Sequence, residues 1–352
     1  MKKVNLSKIG IVVVVSILGY FALLYLLVHF ENQTSGGAIT NIHDAIWWSM
    51  VTLTSVGYGD YVPVSEGGRL IGYFFLFGSL TIFAILIGQI TSIMNNLKEN
   101  RRLGQYGTSL KHHAIIVGWN SFGKTVTDQL TGAGKQVAVV TKTKTDIDFI
   151  KENYPSSNVF ALYTDYNTID HLHKANIQHS SIVFVNLEDD TEKLVYILNL
   201  KKTFANLKYI VSLDNADLKQ TFVAAGVTYA LSKNEIASKL LASYIFEPDV
   251  AIFNEEIIAV AETDELYDIK QYQVIKSNPY IGMKYEKVFY DIKRASNAVL
   301  VGMVKCSGER KLLKNPDFDV AIEENDYLLL LVNGVGEKKL TKLFHIHEGF
   351  NE

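Results

Sequence analysis

Two uninterrupted apolar stretches dominate the first hundred positions, and nothing like them recurs later in the chain. Residues 9–30 contain no Asp, Glu, Lys or Arg, and at about 1.5 Å per residue such a helix spans the roughly 30 Å hydrocarbon core of a bilayer. A second charge-free stretch covers residues 70–94. The pattern predicts two membrane-crossing helices bracketing residues 31–68. A cleaved signal fits the first stretch poorly, because a signal's apolar region is about 7–15 residues long and no small-x-small site follows here. Residues 43–54 have helical character but are too short to cross, which predicts a re-entrant helix.

After Leu97 the pattern changes to short apolar runs alternating with charged, helix-like segments. Residues 98–112 are charged and hold Gly104 and Gly107, the composition of a linker. Runs at 113–117, 136–140, 159–163, 181–185, 209–213 and 227–231 read as strands, with helices such as 191–202 and 218–225 between them. Such alternation predicts a doubly wound parallel sheet. Beyond Pro248, strands are expected at 254–263, 272–276, 298–305 and 326–332, forming a smaller α+β unit. The expected organisation is a membrane all-α pore over 1–97, a linker over 98–112, an α/β Rossmann-like domain over 113–247 and a small α+β domain over 248–352.

Composition narrows the function. The 352 residues carry a net charge of −3 with 20% charged and 48% hydrophobic residues, so neither a nucleic-acid-binding surface nor a disordered chain is expected. A single cysteine, Cys306, excludes an intrachain disulfide framework and fits a reducing compartment. Lys2, Lys3 and Lys8 precede the first span while Lys98, Arg101 and Arg102 follow the second, which places both ends on the cytoplasmic side. The intervening segment has no Lys or Arg before Arg69.

The chemistry concentrates in Ser55-Val56-Gly57-Tyr58-Gly59-Asp60. Glycines at alternate positions allow φ > 0 at Gly57 and Gly59, so that successive carbonyls point to one side. A row of backbone oxygens at membrane depth is tolerable only when it is buried in protein or faces an aqueous path, where it can replace an ion's hydration shell. Residues 47–60 (WWSMVTLTSVGYGD) resemble the pore helix and selectivity filter of two-transmembrane potassium channels. The resemblance implies a homotetramer in a prokaryotic inner membrane, with a filter of Ser55, Val56, Gly57, Tyr58 and Gly59 in which the carbonyls of the first four and the Ser55 hydroxyl hold potassium. It also implies that Trp47 and Asp60 brace the filter from behind. Val51 stands where some relatives carry a second acidic brace. Gly78, ahead of Gly88, is expected as the hinge of the inner helix.

The glycine-rich turn Gly118-Trp119-Asn120-Ser121-Phe122-Gly123 follows the first strand of the soluble part. Such a turn cradles a pyrophosphate at a helix N-terminus, although Asn120 replaces the middle glycine and Lys142, instead of an acid, ends the second strand. Lys142 favours a phosphate over a bare ribose diol. Residues 113–345 resemble the RCK (TrkA-N plus TrkA-C) gating module of prokaryotic channels, with Asp165, residues 186–192 and residues 236–245 at matching places. An adenine nucleotide or NAD(H) in this domain would be held by Gly118, Asn120, Ser121, Phe122, Gly123, Lys142 and Asp165; the alternative is that the glycines serve only helix–strand packing. The resemblance also implies a ring of RCK domains, octameric if an internal start at Met94 supplies extra copies. In the calcium-gated subgroup the ligand carboxylates match Asn186, Ser212 and Asp214 here, so only Asp214 carries charge and calcium is not expected there. The His171/His173 and His345/His347 pairs have spacing two, which on a helix separates the rings. The expected function is a ligand-gated potassium channel. Two rival readings are a membrane-tethered nicotinamide oxidoreductase, for which no catalytic acid, base or nucleophile constellation is recognisable, and a regulatory subunit of a potassium transporter.

Overall fold

The computed structural model describes residues 6–261 and 263–347, with side chains from residue 14 onward. Lys2 and Lys3, and the side chain of Lys8, on which the orientation reading partly rests, lie outside the described residues. The chain divides into two compact units, residues 1–99 and residues 100–352.

In the first unit, α1 (Leu6–Asn32) and α3 (Glu66–Arg102) are the two long apolar helices, and the short α2 (Ile42–Leu53) lies between them in sequence. Asn41 caps α2 by accepting a 3.0 Å hydrogen bond from the Asp44 N–H, satisfying one of the free donors at the helix start. Leu24 and Leu27 of α1, Trp48 of α2 and Ile71 and Phe75 of α3 form the core. Many other large side chains on α1 and α3 are exposed in the single chain, Tyr25 and Phe77 at about 70%. Apolar surface on that scale needs lipid or further protein to cover it. The helix α3 runs unbroken through Arg102, which corrects the expectation of a linker beginning at residue 98. Lys98 and Glu99 are strong helix formers, so their charge marks the end of the apolar span and not the end of the helix.

The second unit contains two sheets. Six parallel strands, β1 (Ala114–Val117), β2 (Val137–Thr141), β3 (Val159–Tyr163), β4 (Ile182–Val185), β5 (Tyr209–Leu213) and β6 (Tyr229–Ser232), lie in the order β3-β2-β1-β4-β5-β6. Strands β1 and β2 are buried throughout, as expected when helices cover both faces of a parallel sheet. The helices α4 (Ser121–Gly132), α5 (Lys144–Asn153), α6 (Asp190–Thr203) and α7 (Lys219–Ala224) connect the strands. Strand order reverses between β1 and β4, the position at which open α/β sheets form a crevice.

After β6 come α8 (Lys233–Phe246) and α9 (Pro248–Ile258). The strand expected at 254–263 is not formed, because α9 occupies it as far as Ile258. Pro248 at the first helical position and Asp249 in the first turn start that helix. The second sheet is antiparallel, in the order β7 (Tyr267–Gln273), β10 (Tyr327–Asn333), β8 (Val299–Lys305), β9 (Lys311–Lys314). Helices α10 (Tyr285–Ser296) and α11 (Gly334–Phe344) supply Val288, Ile292, Leu340 and Phe344 to its core. Strand β9 was not expected, since its lysine-flanked Leu312-Leu313 pair is too short to show alternation.

Residues 103–112 are fixed to the second unit instead of forming a slack linker. Leu103 is buried, its carbonyl accepts from the Tyr163 N–H at 3.0 Å, and Gln105 donates to the Tyr163 carbonyl at 2.7 Å. Further along, the Thr108 and His112 N–H groups donate to the carbonyls of Lys174 and His179. Just before this segment, Arg102 reaches both oxygens of Asp148 on α5 at 2.5 and 2.6 Å.

Candidate functional site

The first candidate site follows α2. Ser55, Gly57 and Gly59 have φ of 62°, 62° and 78°, whereas Val56 and Tyr58 do not. Backbone hand therefore alternates residue by residue, and this alternation turns each peptide so that neighbouring carbonyls share a side. For Ser55 the left-handed conformation is uncommon and strained, as is typical of functional backbone. The Val56 N–H donates to the Val51 carbonyl at 3.0 Å, and the Gly57 N–H reaches the same carbonyl at 3.3 Å. Val51 thus anchors the segment through its backbone, although its side chain cannot supply an acidic brace.

Behind the segment, the Trp47 indole N–H donates to Asp60 at 2.7 Å. The Trp47 and Tyr58 rings are stacked at 6.1 Å, 8° from parallel. One helix residue therefore holds the C-terminal end of the motif at two points. The Val56 side chain is 53% exposed, and Tyr58, apart from its stack on Trp47, is 69% exposed. The C-terminus of α2 directs its carbonyl end toward the start of this segment, where a helix favours cations. Cβ atoms added at Gly78 or Gly88 would meet nothing within 4 Å, so packing inside the chain does not require either glycine.

Glu31, one of the acids between the two apolar stretches, is a structural keystone of the first unit. It is 1% exposed, and its carboxylate accepts from the Val64 and Ser65 N–H groups and the Ser65 hydroxyl. No local sequence signal separates it from the exposed acids around it.

The second candidate site lies at the strand-order reversal. A cleft of about 130 Å³ is lined by Gly118, Asn120, Lys142, Tyr166, Glu188 and Glu192, among others. An adjoining cleft of about 310 Å³ shares Tyr166 and Glu192 with it and continues along α6 to Tyr196 and Asn199. Gly118 has φ 99°, and a Cβ there would stand 2.4 Å from the Asn186 carbonyl oxygen. A Cβ at Gly123 would stand 2.9 Å from the Asn186 amide nitrogen. Both glycines are thus required by the close approach of β4. Asn120 is the N-cap of α4, accepting from the Gly123 N–H at 2.9 Å. Lys142 sits 5.6 Å from the Tyr166 ring centre.

The remaining nucleotide candidates diverge. Phe122 packs edge-on against Phe184, Ser121 begins α4, and the Asp165 carboxylate is taken up by the backbone and side chain of Asn167. Tyr196 is a residue the sequence reading missed. It is 7% exposed, its hydroxyl has no partner among the described residues, and burial pushes that hydroxyl's pKa up. The two clefts together reach the size of small-molecule sites. The Lys142 ammonium and the α4 N-terminus border the first cleft and the unpartnered Tyr196 hydroxyl lies at the second, groups with the chemistry to hold an adenine nucleotide once Asn120 yields the helix mouth.

At the calcium-matching positions, Asp214 pairs with Lys233 at 2.8 Å and the Ser212 hydroxyl is buried. Next to them the fully buried Lys193 ammonium pairs with Asp190 at 2.7 Å, and Asp190 also accepts from the Asp214 and Asn215 N–H groups. Those carboxylates are thus already matched by ammonium groups of the chain. Among the described residues, no group of three or more His, Cys, Asp or Glu is placed to hold a metal. His171 bonds Thr164 and His173 packs on Phe204, so the first histidine pair is divided, as its spacing implies.

Comparison with known proteins agrees with this two-unit construction. The ion-channel family matches residues 10–96, and the TrkA-N domain family matches residues 114–233. The calcium-gated potassium channel TvoK of Thermoplasma volcanium is 24% identical over 317 residues, covering 87% of this chain and 86% of its own. Potassium channel protein 1 of Methanocaldococcus jannaschii is 24% identical over 311 residues, covering 87% of this chain and 89% of its own. In fold, the chain is similar over 66% of its length to the human SLO3 gating ring, with a TM-score of 0.50 and 12% identity. The chain spans 46% of that structure. With two helices among the described residues long and apolar enough to cross a membrane, a filter-like segment and a sheet matched by the TrkA-N family, the chain is similar in make-up to these potassium channels.

Proposed function

We propose that four copies of this chain surround one potassium-selective pore, with both termini in the cytoplasm of a prokaryotic cell and the pore in its inner membrane. The observation that carries the reading is the alternation of backbone hand at Ser55, Gly57 and Gly59, braced by Trp47 and Asp60. Four such segments around one axis supply rings of carbonyl oxygens that replace the hydration shell of potassium. The exposed apolar residues of α1 and α3 are then covered by lipid and by neighbouring copies.

Gating follows from the fixed connector. Residues 103–112 belong to the second unit, so a rearrangement of that unit acts on the end of α3 without slack. A ligand drives this only through different affinities for the two arrangements. The ligand we assign to the TrkA-N cleft is an adenine nucleotide, with its phosphates toward α4 and Lys142 and its nucleoside toward Tyr196. Copies associate through α8 and α9, whose Leu241, Ile245, Phe246 and Phe253 are at least half exposed.

Purified protein in liposomes tests the reading. Reversal potentials should track the potassium gradient and ignore sodium, and ADP should change the flux. Equal permeability to both ions would overturn it. Steady NADH oxidation without ion flux would favour the oxidoreductase, and absence of both would favour a regulatory subunit.

A further inference from the structure

The mouth of α4 is occupied by the chain itself. The Asn120 side-chain oxygen accepts from the Gly123 N–H at 2.9 Å and from the Asn186 amide at 2.8 Å. It therefore lies over the helix end whose free N–H groups attract a phosphate. The two asparagines differ in freedom. Asn186 is 2% exposed, its backbone N–H is tied to the Val117 carbonyl at 2.7 Å, and its amide also reaches the Gly118 carbonyl at 3.3 Å. Asn186 is a fixed wall, whereas Asn120 is only half-buried and lines the open cleft.

We infer that Asn120 is a latch that caps α4 when the cleft is empty and must rotate off the Gly123 N–H to admit a phosphate, which makes it the residue that sets affinity for phosphate-bearing nucleotides. The inference rests on the nucleotide reading of the cleft proposed above. A ligand is independently indicated by the buried, unpartnered Tyr196 hydroxyl at the adjoining cleft, whose lining shares Tyr166 and Glu192 with that of the latch cleft. Chemistry supports the direction of the effect. A phosphate oxygen is a stronger acceptor than an amide oxygen, because hydrogen bonds to ionised groups are roughly twice as strong as neutral ones. Displacement of Asn120 is therefore favourable but incomplete in its gain, since the neutral bond it replaces is lost. Glu188 and Glu192 also line the cleft and oppose a highly charged ligand, so the wild-type affinity is held down twice.

The latch has a second consequence. When Asn120 rotates away, the Asn186 amide keeps only the longer bond to Gly118. Asn186 stands at the end of β4, immediately before the turn that leads into α6. The opening of the latch is thus felt at the start of α6, where Asp190 ties that helix to the segment after β5.

The test compares ADP and adenosine binding to the full-length channel in detergent by calorimetry, in wild type, Asn120→Gly and Asn120→Asp. Glycine is well tolerated at an N-cap, so the variant should fold. Asn120→Gly should bind ADP about tenfold tighter, as expected for a donor freed from a neutral acceptor, with adenosine affinity unchanged. Asn120→Asp keeps the cap and adds charge, so ADP affinity should fall below wild type. Wild-type ADP binding that is unchanged or weakened by Asn120→Gly would overturn the latch while leaving the site. An equal gain for adenosine would also overturn it, because the effect would then not reside at the phosphate. Failure of wild type and both variants to bind either ligand would overturn the nucleotide reading and the latch together. Should Asn120→Gly not fold, Asn120→Ser retains a shorter cap that cannot keep the Asn186 bond, and it should show an intermediate gain for ADP only.

Discussion

The Ser65 hydroxyl donates a 2.6 Å hydrogen bond to the Glu31 carboxylate and accepts one from the Gly68 N–H at 2.9 Å. The end of the outer helix is thereby joined to the first turn of the inner helix, with a buried negative charge where the α3 dipole is positive. Glu31→Ala leaves several buried donors unsatisfied and should cost about 2 kcal/mol or more. Glu31→Gln retains an acceptor and should cost less. Thermal stability of the assembled channel in detergent checks the order, and equal stability of the three proteins would refute the role.

At the filter, Gly57→Ala should abolish potassium flux while the protein still assembles. With φ of 62° at this position and nothing within 4 Å of an added Cβ, the penalty is conformational, about 1 kcal/mol or more per subunit. That is enough to turn a carbonyl out of the ring. Normal single-channel conductance in the variant would show that these carbonyls do not line the path.

Tyr196→Phe separates stability from binding. Removing a buried hydroxyl that has no partner relieves its desolvation cost, so the ligand-free protein should become slightly more stable. Nucleotide affinity should fall by about tenfold, since the same hydroxyl is assigned to the nucleoside. Paired melting and calorimetry measure both, and unchanged affinity would remove Tyr196 from the site.

Calcium should not activate through Asp214, whose carboxylate is paired with Lys233 at 2.8 Å. A divalent ion would have to displace that ammonium and would gain one charged ligand among Asn186, Ser212 and Asp214, too few for tight binding. The measurement is a calcium titration of channel activity in wild type and Asp214→Asn. Micromolar activation that disappears in the variant would contradict the prediction.

His113, at the entry to β1, is fully buried and bonds the Ala175 carbonyl at 2.9 Å. Burial, with smaller contributions from His112 and His179, holds its pKa below the usual histidine value. The unfolded chain therefore takes up this proton at a higher pH than the folded one, so stability is full above about pH 6.5 and declines as the pH falls below it. Melting temperature should drop between pH 7 and 5 in wild type and drop less in His113→Gln, which can still donate to Ala175. Parallel profiles would exclude the histidine as the cause.

Some of this molecule is written in runs of a few residues. Charge-free length determines α1 and α3, glycine spacing determines the backbone at Gly57 and Gly59, and the Gly118–Gly123 spacing determines a turn between strand and helix. These features depend on local periodicity and local sterics, which a sequence displays directly. Tertiary structure alone decided the rest. Asn120 and Asn186 are 66 positions apart and meet because β4 lies beside β1 in the sheet. Glu31 becomes a cap, and not one more surface acid, only when the end of α1 meets the start of α3. The apparent linker became part of the second unit because Tyr163, Lys174 and His179 offer backbone partners that no property of residues 103–112 foretells. Hydrogen-bond partners distant in the chain are chosen by topology, and topology is where local patterning stops carrying information.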